Sequence, residues 1–237
     1  MNIILFEEFP PQNLIPNGDY RHHHIRKILH LSVGDKFRLG VINGPSGKAT
    51  ITAITKAGIA FTFQEESGSA PLWDVSLLVA QVRPICMKRI LREAVSIGVK
   101  EIITFTSDTT EASYGKSKLY SSGEYWKYMV DGAMQAGQTA IGELKLEKDL
   151  KGILEKYSWS GKLVLDIAPQ SKRFSALDVP KEPVVLAIGP ERGWSSAERE
   201  LFKAHEFQFC SLGERILRTE TASAVALMLL LSTMGYL

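Results

Sequence analysis

Two stretches near the carboxyl end of the chain hold residues whose types and spacing could do chemistry. They are Leu186-Ala187-Ile188-Gly189-Pro190-Glu191-Arg192-Gly193-Trp194-Ser195 and Leu212-Gly213-Glu214-Arg215-Ile216-Leu217-Arg218-Thr219-Glu220-Thr221-Ala222. Each runs from a short apolar, β-prone segment through a glycine-containing turn into a segment that reads as a helix. Glycine lets a ligand approach the main chain closely, so two such turns can build one pocket from backbone amides and carbonyls. This pocket is read as the active site. In the first turn Gly189 and Gly193 flank Pro190, Glu191 and Arg192, and the helix that opens at Ser195 offers free N–H groups to anionic or electron-rich groups. In the second, Thr219 is placed to cap the last helix with its hydroxyl. A loop that presents amides and buries Ile216 and Leu217 would suit an adenine ring. The alternative is a structural loop in which Arg218 and Glu220 pair with each other or with the helix end.

A second constellation lies near the amino end. Between Asp19 and Leu31, Arg21, His22, His23, His24, Arg26, Lys27 and His30 surround Ile25, Ile28 and Leu29, a spacing that predicts a helix with one buried stripe and a basic remainder. It reads either as a surface for RNA phosphates or as a solvated helix face. Adjacent helical residues point in different directions, so the three consecutive histidines do not chelate one ion, and no metal is expected. Asn43-Gly44-Pro45-Ser46-Gly47-Lys48 is not a phosphate loop, because Ile42 stands where its first glycine belongs and Ala49 where its Ser/Thr belongs. It reads as a hairpin turn.

The elements that must position these residues alternate along the chain. Strands are expected over 2–6, 36–42, 48–54 and 59–63, and the polar run Glu65–Pro71 with Ser67, Gly68 and Ser69 reads as a linker. Beyond it come strands over 74–80, 101–106, 162–167, 184–188 and 207–212. Helices are expected over 84–97, 122–139, 147–157, 195–204 and 219–234. The helix at Ser195 carries the capping box Ser195-x-x-Glu198. Apolar strands alternating with helices predict an α/β fold with a mostly parallel sheet covered on both faces, where ligands bind beyond the carboxyl ends of the strands. Both glycine turns sit there.

With 237 residues, 45% apolar and 23% charged, the chain can bury one large core or two modest ones, and the linker favours two. A net charge of +2 neither demands nor excludes a nucleic-acid partner. The two cysteines, Cys86 and Cys210, have no metal or disulfide spacing, which fits a reducing cytoplasm. Met1–Phe6 lacks the basic flank of a secretory signal, and the apolar run 224–231 is far below the ~18 residues that span a bilayer, so no membrane is expected.

The pattern Ile188-Gly189-Pro190-Glu191 with Gly193 and Glu198, followed by Leu212-Gly213-x-Arg215-Ile216-Leu217-Arg218-Thr219-Glu220-Thr221-Ala222, resembles the RsmE family of ribosomal RNA uridine N3-methyltransferases in the SPOUT superfamily. His23-His24-Ile25-x-Lys27-Ile28-Leu29 with Gly34-Asp35, Ile97-Gly98-Val99 and Gln135-x-Gly137 extend the likeness over most of the chain. The resemblance implies a PUA-like RNA-binding β-barrel over 1–70 and a trefoil-knot methyltransferase domain over 71–237 that forms a homodimer. It implies S-adenosylmethionine (SAM) held by Leu165, Ile188, Gly189, Glu191, Gly193, Leu212, Gly213, Ile216, Leu217, Arg218, Thr219, Thr221 and Ala222. Small-subunit ribosomal RNA would be met by Arg21, His23, His24, Arg26, Lys27, Arg192 and Arg215. Arg218 would stabilise charge on a uracil oxygen, and Glu191 or Glu220 would accept the N3 proton. Glu220 is also stabilising in the first turn of a helix without any catalysis. The chain departs from the family pattern at Arg192, Ser96, Gln138 and His30, positions that bear on the RNA more than on the cofactor. Two other readings follow: the same fold and cofactor acting on a different nucleotide, or a non-catalytic RNA-binding relative.

Overall fold

The computed structural model describes residues 3–178 and 183–237; Asn2, with which the first expected strand opens, lies outside them. The chain divides into two compact units, Met1–Pro71 with Ala133–Ile141, and Leu72–Gly132 with Gly142–Leu237.

In the first unit, β1 (Ile4–Phe6), β2 (Leu14–Pro16), β3 (Lys36–Val41), β4 (Ser46–Ile54) and β5 (Gly58–Ser67) form one sheet in the order β1-β3-β4-β5-β2. Only the β1–β3 pair is parallel among its ladders. The inward residues Ile4, Phe6, Ile15, Phe37, Leu39, Ala49, Ile51, Ile59 and Phe61 make a core with Ile25. Strand β5 runs on through Glu65 and Glu66 into the expected linker, because Gly47 and Ser46 of β4 pair with Glu65 and Ser67.

The basic segment is shorter and differently wound than expected. Asp19 caps α1 (Tyr20–His23), and a π-turn over His24–Ile28 follows, closed by Leu29 N–H to the His24 carbonyl at 3.0 Å. The wider turn spaces side chains differently from an α-helix. Ile25 is buried, Leu29 packs on the core edge, and Ile28, expected inside, is 60% exposed.

The second unit carries β6 (Trp73–Ala80), α2 (Pro84–Ile97), β7 (Val99–Phe105), α3 (Lys118–Ser121), α4 (Tyr125–Ala136), β8 (Glu143–Leu146), α5 (Leu150–Lys156), β9 (Gly161–Leu165), β10 (Lys172–Arg173), β11 (Val184–Ile188), α6 (Ser196–Ala204), β12 (Gln208–Ser211) and α7 (Thr219–Thr233). Its seven strands lie in the order β10-β12-β9-β11-β6-β7-β8, and every ladder is parallel. Both sheet faces are apolar: on one, Leu78, Ile103, Val164, Val185 and Ala187 make a core with Trp159, Trp194, Phe202 and Phe207, and at the alternating positions Leu77, Val79, Ile102, Leu163, Val184 and Leu186 are buried as well.

Helix α4 stops well short of the expected Thr139. Gly137 takes φ +71, and the following residues, which belong to the first unit, leave the helix and bond to that unit's own hairpin turn: Asn43 N–H donates to the Thr139 carbonyl and Ile141 N–H to Asn43 Oδ1, both at 2.8 Å. The segment expected as helix from Glu147 opens three residues later at Leu150, where Asp149 Oδ1 accepts from Gly152 N–H. Edge strand β8, just before it, had no apolar run to announce it.

Strands β6, β9, β11 and β12 bring their carboxyl ends side by side, and β6 has a strand added on each side by later chain. Such a switch point leaves a crevice beyond the strand ends.

Candidate active site

The crevice is a cleft of about 820 Å³ in the second unit. One wall is the turn after β11. Gly189 lies against Trp194: a Cβ there would meet the indole ring at 3.1 Å, so only glycine fits without moving the ring. Gly193 closes the turn at φ +70, its N–H donating to the Pro190 carbonyl at 2.8 Å. Trp194 is buried between Phe105 and Phe202, and its Nε1 donates to the Leu165 carbonyl at 3.0 Å, tying the ends of β9 and β11 together. The capping box expected at α6 is present in both directions, Glu198 N–H to Ser195 Oγ and Ser195 N–H to Glu198 Oε2.

The second wall is the loop after β12 and the start of α7. Expectation and structure differ here in two ways. The cap residue of α7 is Arg218, without a side-chain bond to the helix, and Thr219 is already inside the helix with its carbonyl accepting from Ser223 Oγ. Ile216 and Leu217, expected to bury themselves, are 82% and 38% exposed and line the cleft. A loop built from Gly213 to Leu217 folds over no core, so its apolar side chains face the cavity.

The floor comes from residues the sequence did not single out: Arg83, Ile85, Cys86 and Arg89 after β6 and on α2, and Asp166, Ile167 and Arg199. Arg199 Nε and Nη2 hold Asp166 at 2.7 and 3.2 Å, and the Asp166 side chain is only 2% exposed. This pair raises the Arg199 pKa. Ile167, 70% exposed, stands as a second apolar group on the cleft. A composition rule could have found the Asp166–Ile167 pair only by placing the end of β9 beside β11.

The candidate catalytic groups all reach the cleft. Glu191 Oε1 accepts from the Arg83 backbone N–H at 3.0 Å. Glu220 Oε1 accepts from Arg89 Nη1 at 3.1 Å. The Glu220 pKa is lowered by its own backbone amide at the start of α7 and by hydrogen bonds from Cys86 and Arg89. The Cys86 thiol is pushed up, first by burial and then by Glu220 and Glu191. Arg218, Arg192 and Arg215 are exposed and line the cleft with no side-chain partner among the described residues. Arg218 and Glu220 therefore do not pair with each other.

Of the residues expected to hold a cofactor, Leu165, Ile188, Gly189, Glu191, Gly193, Leu212, Gly213, Ile216, Leu217, Arg218, Thr219 and Ala222 line the cleft; Thr221 does not. On α7, Thr221 sits on the solvent side between the inward-facing Glu220 and the buried Ala222.

The amino-terminal basic residues belong to the first unit, and most are engaged there. Arg21 pairs with Asp19 at 3.2 Å and lies 4.1 Å over the Phe6 ring. Arg26 donates to the Leu31 carbonyl. His24 has its Nε2 buried without a partner, and burial lowers its pKa. His23 and Lys27 stand exposed. Among the described residues no cluster of three His, Cys, Asp or Glu could hold a metal ion, and no helix is long and apolar enough to cross a membrane.

A volume of about 820 Å³ with glycine walls, exposed Ile167 and Ile216, two carboxylates and several arginines fits a medium-sized ligand with an apolar ring and charged ends. Comparison with known proteins points the same way. Residues 69–231 match the model of the RNA methyltransferase domain family. The chain is 32% identical over 236 residues to the ribosomal RNA small subunit methyltransferase E of Treponema pallidum, covering 95% of this chain and 89% of that one. A Legionella pneumophila protein described as a methyltransferase, solved in complex with SAM, superposes with a TM-score of 0.80 at 26% identity, covering 98% and 97% of the two chains. The ribosomal RNA small subunit methyltransferase E of Neisseria gonorrhoeae, bound to SAM, shares the fold with a TM-score of 0.78 at 22% identity, with 98% and 97% covered. The α/β architecture, the cleft at the switch point and the similarity along nearly the whole chain lead to one assignment: the chain belongs to the ribosomal RNA small subunit methyltransferase E family of RNA methyltransferases.

Proposed function

We propose that the protein is a SAM-dependent ribosomal RNA methyltransferase that modifies N3 of a uridine in the small-subunit RNA. The observation that carries this reading is the coincidence of one cleft with the residues that the family pattern assigns to the cofactor, and it is supported by two solved proteins of the same fold that were bound to SAM. SAM would be held between the Gly189–Trp194 turn and the Leu212–Thr219 loop, where backbone amides and the apolar faces of Ile167, Ile216 and Leu217 suit an adenine ring. When bound, the cofactor supplies an electrophilic methyl group on sulfur.

The chain's own groups then have to orient the uracil and take charge of its N3 proton. Arg218, unpaired at the cleft, is suited to stabilise negative charge on a uracil oxygen. Of the two carboxylates, Glu191 is assigned the N3 proton, because Glu220 is committed to Arg89. Glu220 is stabilised as its anion by Cys86, Arg89 and the α7 amide, which weakens it as a base and suits it to holding Arg89 in place. Arg192 and Arg215 add positive charge at the cleft for the RNA backbone.

The first unit is read as a PUA-like RNA-binding barrel, with His23 and Lys27 free to meet phosphates and Arg21, His24 and Arg26 shaping the turn that presents them. The second is read as a SPOUT knot that pairs into a homodimer. Support for pairing comes from α7, whose outer face leaves Val225, Met228 and Leu229 39–44% exposed. Apolar side chains left exposed together on one helix face suit an interaction surface. A protein that modifies ribosomal RNA would act in the cytoplasm.

The test is mass mapping of small-subunit RNA from cells with and without the gene, joined to calorimetry with SAM. One methyl lost from one uridine supports the reading. A methyl lost from another nucleotide replaces the substrate, and well-folded protein that binds no SAM removes the enzyme reading. Arg218→Ala should lower turnover at saturating SAM by about 10²–10³, as expected for a group that stabilises developing charge.

A further inference from the structure

The turn after β7 is not part of the cleft lining, yet it reaches the wall that is. Thr109 Oγ1 donates to the Gly193 carbonyl at 2.6 Å. Ser195 Oγ donates to Asp108 Oδ2 at 2.5 Å, and Asp108 N–H donates to Glu198 Oε1 at 3.2 Å. The turn is itself anchored. Thr110 Oγ1 donates to the Gln81 carbonyl at 3.1 Å and accepts from Ser107 N–H at 3.3 Å, and Ser107 is 3% exposed. Thr109 and Thr110 gave no sequence signal, because the carbonyls that accept from their hydroxyls lie 84 and 29 positions away.

The bond to Gly193 bears directly on the cleft. Across a trans peptide, a carbonyl and the following N–H point in opposite directions, and the described residues contain no cis peptide. The Gly193 carbonyl is drawn toward Thr109, behind the wall. The Trp194 N–H is therefore turned to the other side, and it has no acceptor among the described residues. A donor without a protein partner on a cleft wall is a place for a ligand atom.

We propose that Thr109 is a positioning residue of the site: its hydroxyl sets the Gly193–Trp194 peptide plane and so presents the Trp194 amide to the bound cofactor. This rests on the reading of the cleft as the SAM site. Gly193 N–H is held by the Pro190 carbonyl at 2.8 Å, but on the far side of the residue its carbonyl is bonded to the Thr109 hydroxyl. Without the hydroxyl the plane is held only by the chain on either side.

The experiment compares wild type, Thr109→Val and Thr109→Ser by calorimetry with SAM, steady-state kinetics and thermal unfolding of the cofactor-free protein. Thr109→Val keeps the side-chain shape and removes the donor. It should bind SAM about tenfold more weakly, the worth of one hydrogen bond, raising KM for SAM while kcat at saturation stays within about threefold. Thr109→Ser should restore affinity. Unchanged affinity in folded Thr109→Val, or Thr109→Ser as weak as the valine variant, overturns the proposal. If the valine variant does not fold, Thr109→Ala carries the same comparison. Wild-type protein that fails to bind SAM overturns the cleft reading itself, and the proposal with it.

Discussion

Replacing Gly189 by alanine puts one methyl group between the end of β11 and Trp194. The new Cβ would lie 3.1 Å from Trp194 Cε2 and 3.3 Å from Cδ2 and Nε1, inside the roughly 3.5–4.0 Å at which carbon atoms attract one another. The ring would have to retreat by a few tenths of an ångström, and it has nowhere to go. It is 3% exposed, meets Phe202 edge-on at 4.8 Å, lies parallel to Phe105 at 6.3 Å, and is tethered to the Leu165 carbonyl at 3.0 Å. Overpacking of this kind costs about 1–3 kcal/mol, and a strained tether adds up to about 1 kcal/mol. A loss near 2 kcal/mol corresponds to a fall in Tm of about 4–8 °C for a chain of this size. Because the tether joins β9 to β11 at the cleft, SAM affinity should fall as well. Urea denaturation of the cofactor-free protein gives the stability term, and calorimetry with SAM at a temperature where the variant is folded gives the binding term. A variant within about 0.5 kcal/mol of wild type with unchanged SAM affinity would refute the account of this wall as a packed, rigid surface.

Arg199→Met removes the partner of a carboxylate whose side chain is 2% exposed, while the Ile167 N–H at 2.8 Å remains. Breaking a buried pair costs about 3–5 kcal/mol; the Arg199 side chain is 28% exposed, so a loss nearer about 2–3 kcal/mol is expected. The double variant with Asp166→Asn should recover part of it in denaturation curves, and strict additivity would sink the pairing argument. Alkaline pH should destabilise the protein through Cys210, whose thiol burial pushes from 9.0 up to about 12. The folded state keeps that proton after the unfolded state has lost it, so stability is full below pH 9 and declines toward pH 12, by up to about 1.4 kcal/mol per pH unit for this group. Cys210→Ala should flatten the decline between pH 9 and 10, and an unchanged slope would mean the thiol is not buried in solution.

The two turns that line the cleft were easier to read than the elements around them. The Gly189 and Gly213 turns were legible because glycine, a capping box and an apolar strand are local signals, each carried within a few residues. Ser195 and Glu198 cap α6 as their spacing requires. Arg83, Cys86, Asp166 and Arg199 were invisible for the opposite reason. No local pattern marks their own side chains, although Asp166 follows Leu165 and Arg199 follows Glu198, and they meet the cleft because β6, β9 and β11 are neighbours in the sheet. The basic stretch from Asp19 misled as a continuous helix, since composition cannot distinguish an α-turn from the π-turn that leaves Ile28 exposed. The helix expected to reach Thr139 misled similarly, because its last residues are claimed by the Asn43–Gly44 turn, about a hundred positions earlier.

The sequence alone determined the family, the alternating α/β pattern and the two turns that face the cleft, because these rest on local propensity and on an ungapped motif from Leu212 to Ala222. Tertiary structure alone decided how the charges inside the cleft are shared. Whether Glu220 is a base or an anchor depends on Arg89 and Cys86 of α2, more than a hundred residues away. Whether Arg218 is free depends on Glu220 having found that other partner first. Those are properties of distance in space, which spacing along the chain does not encode.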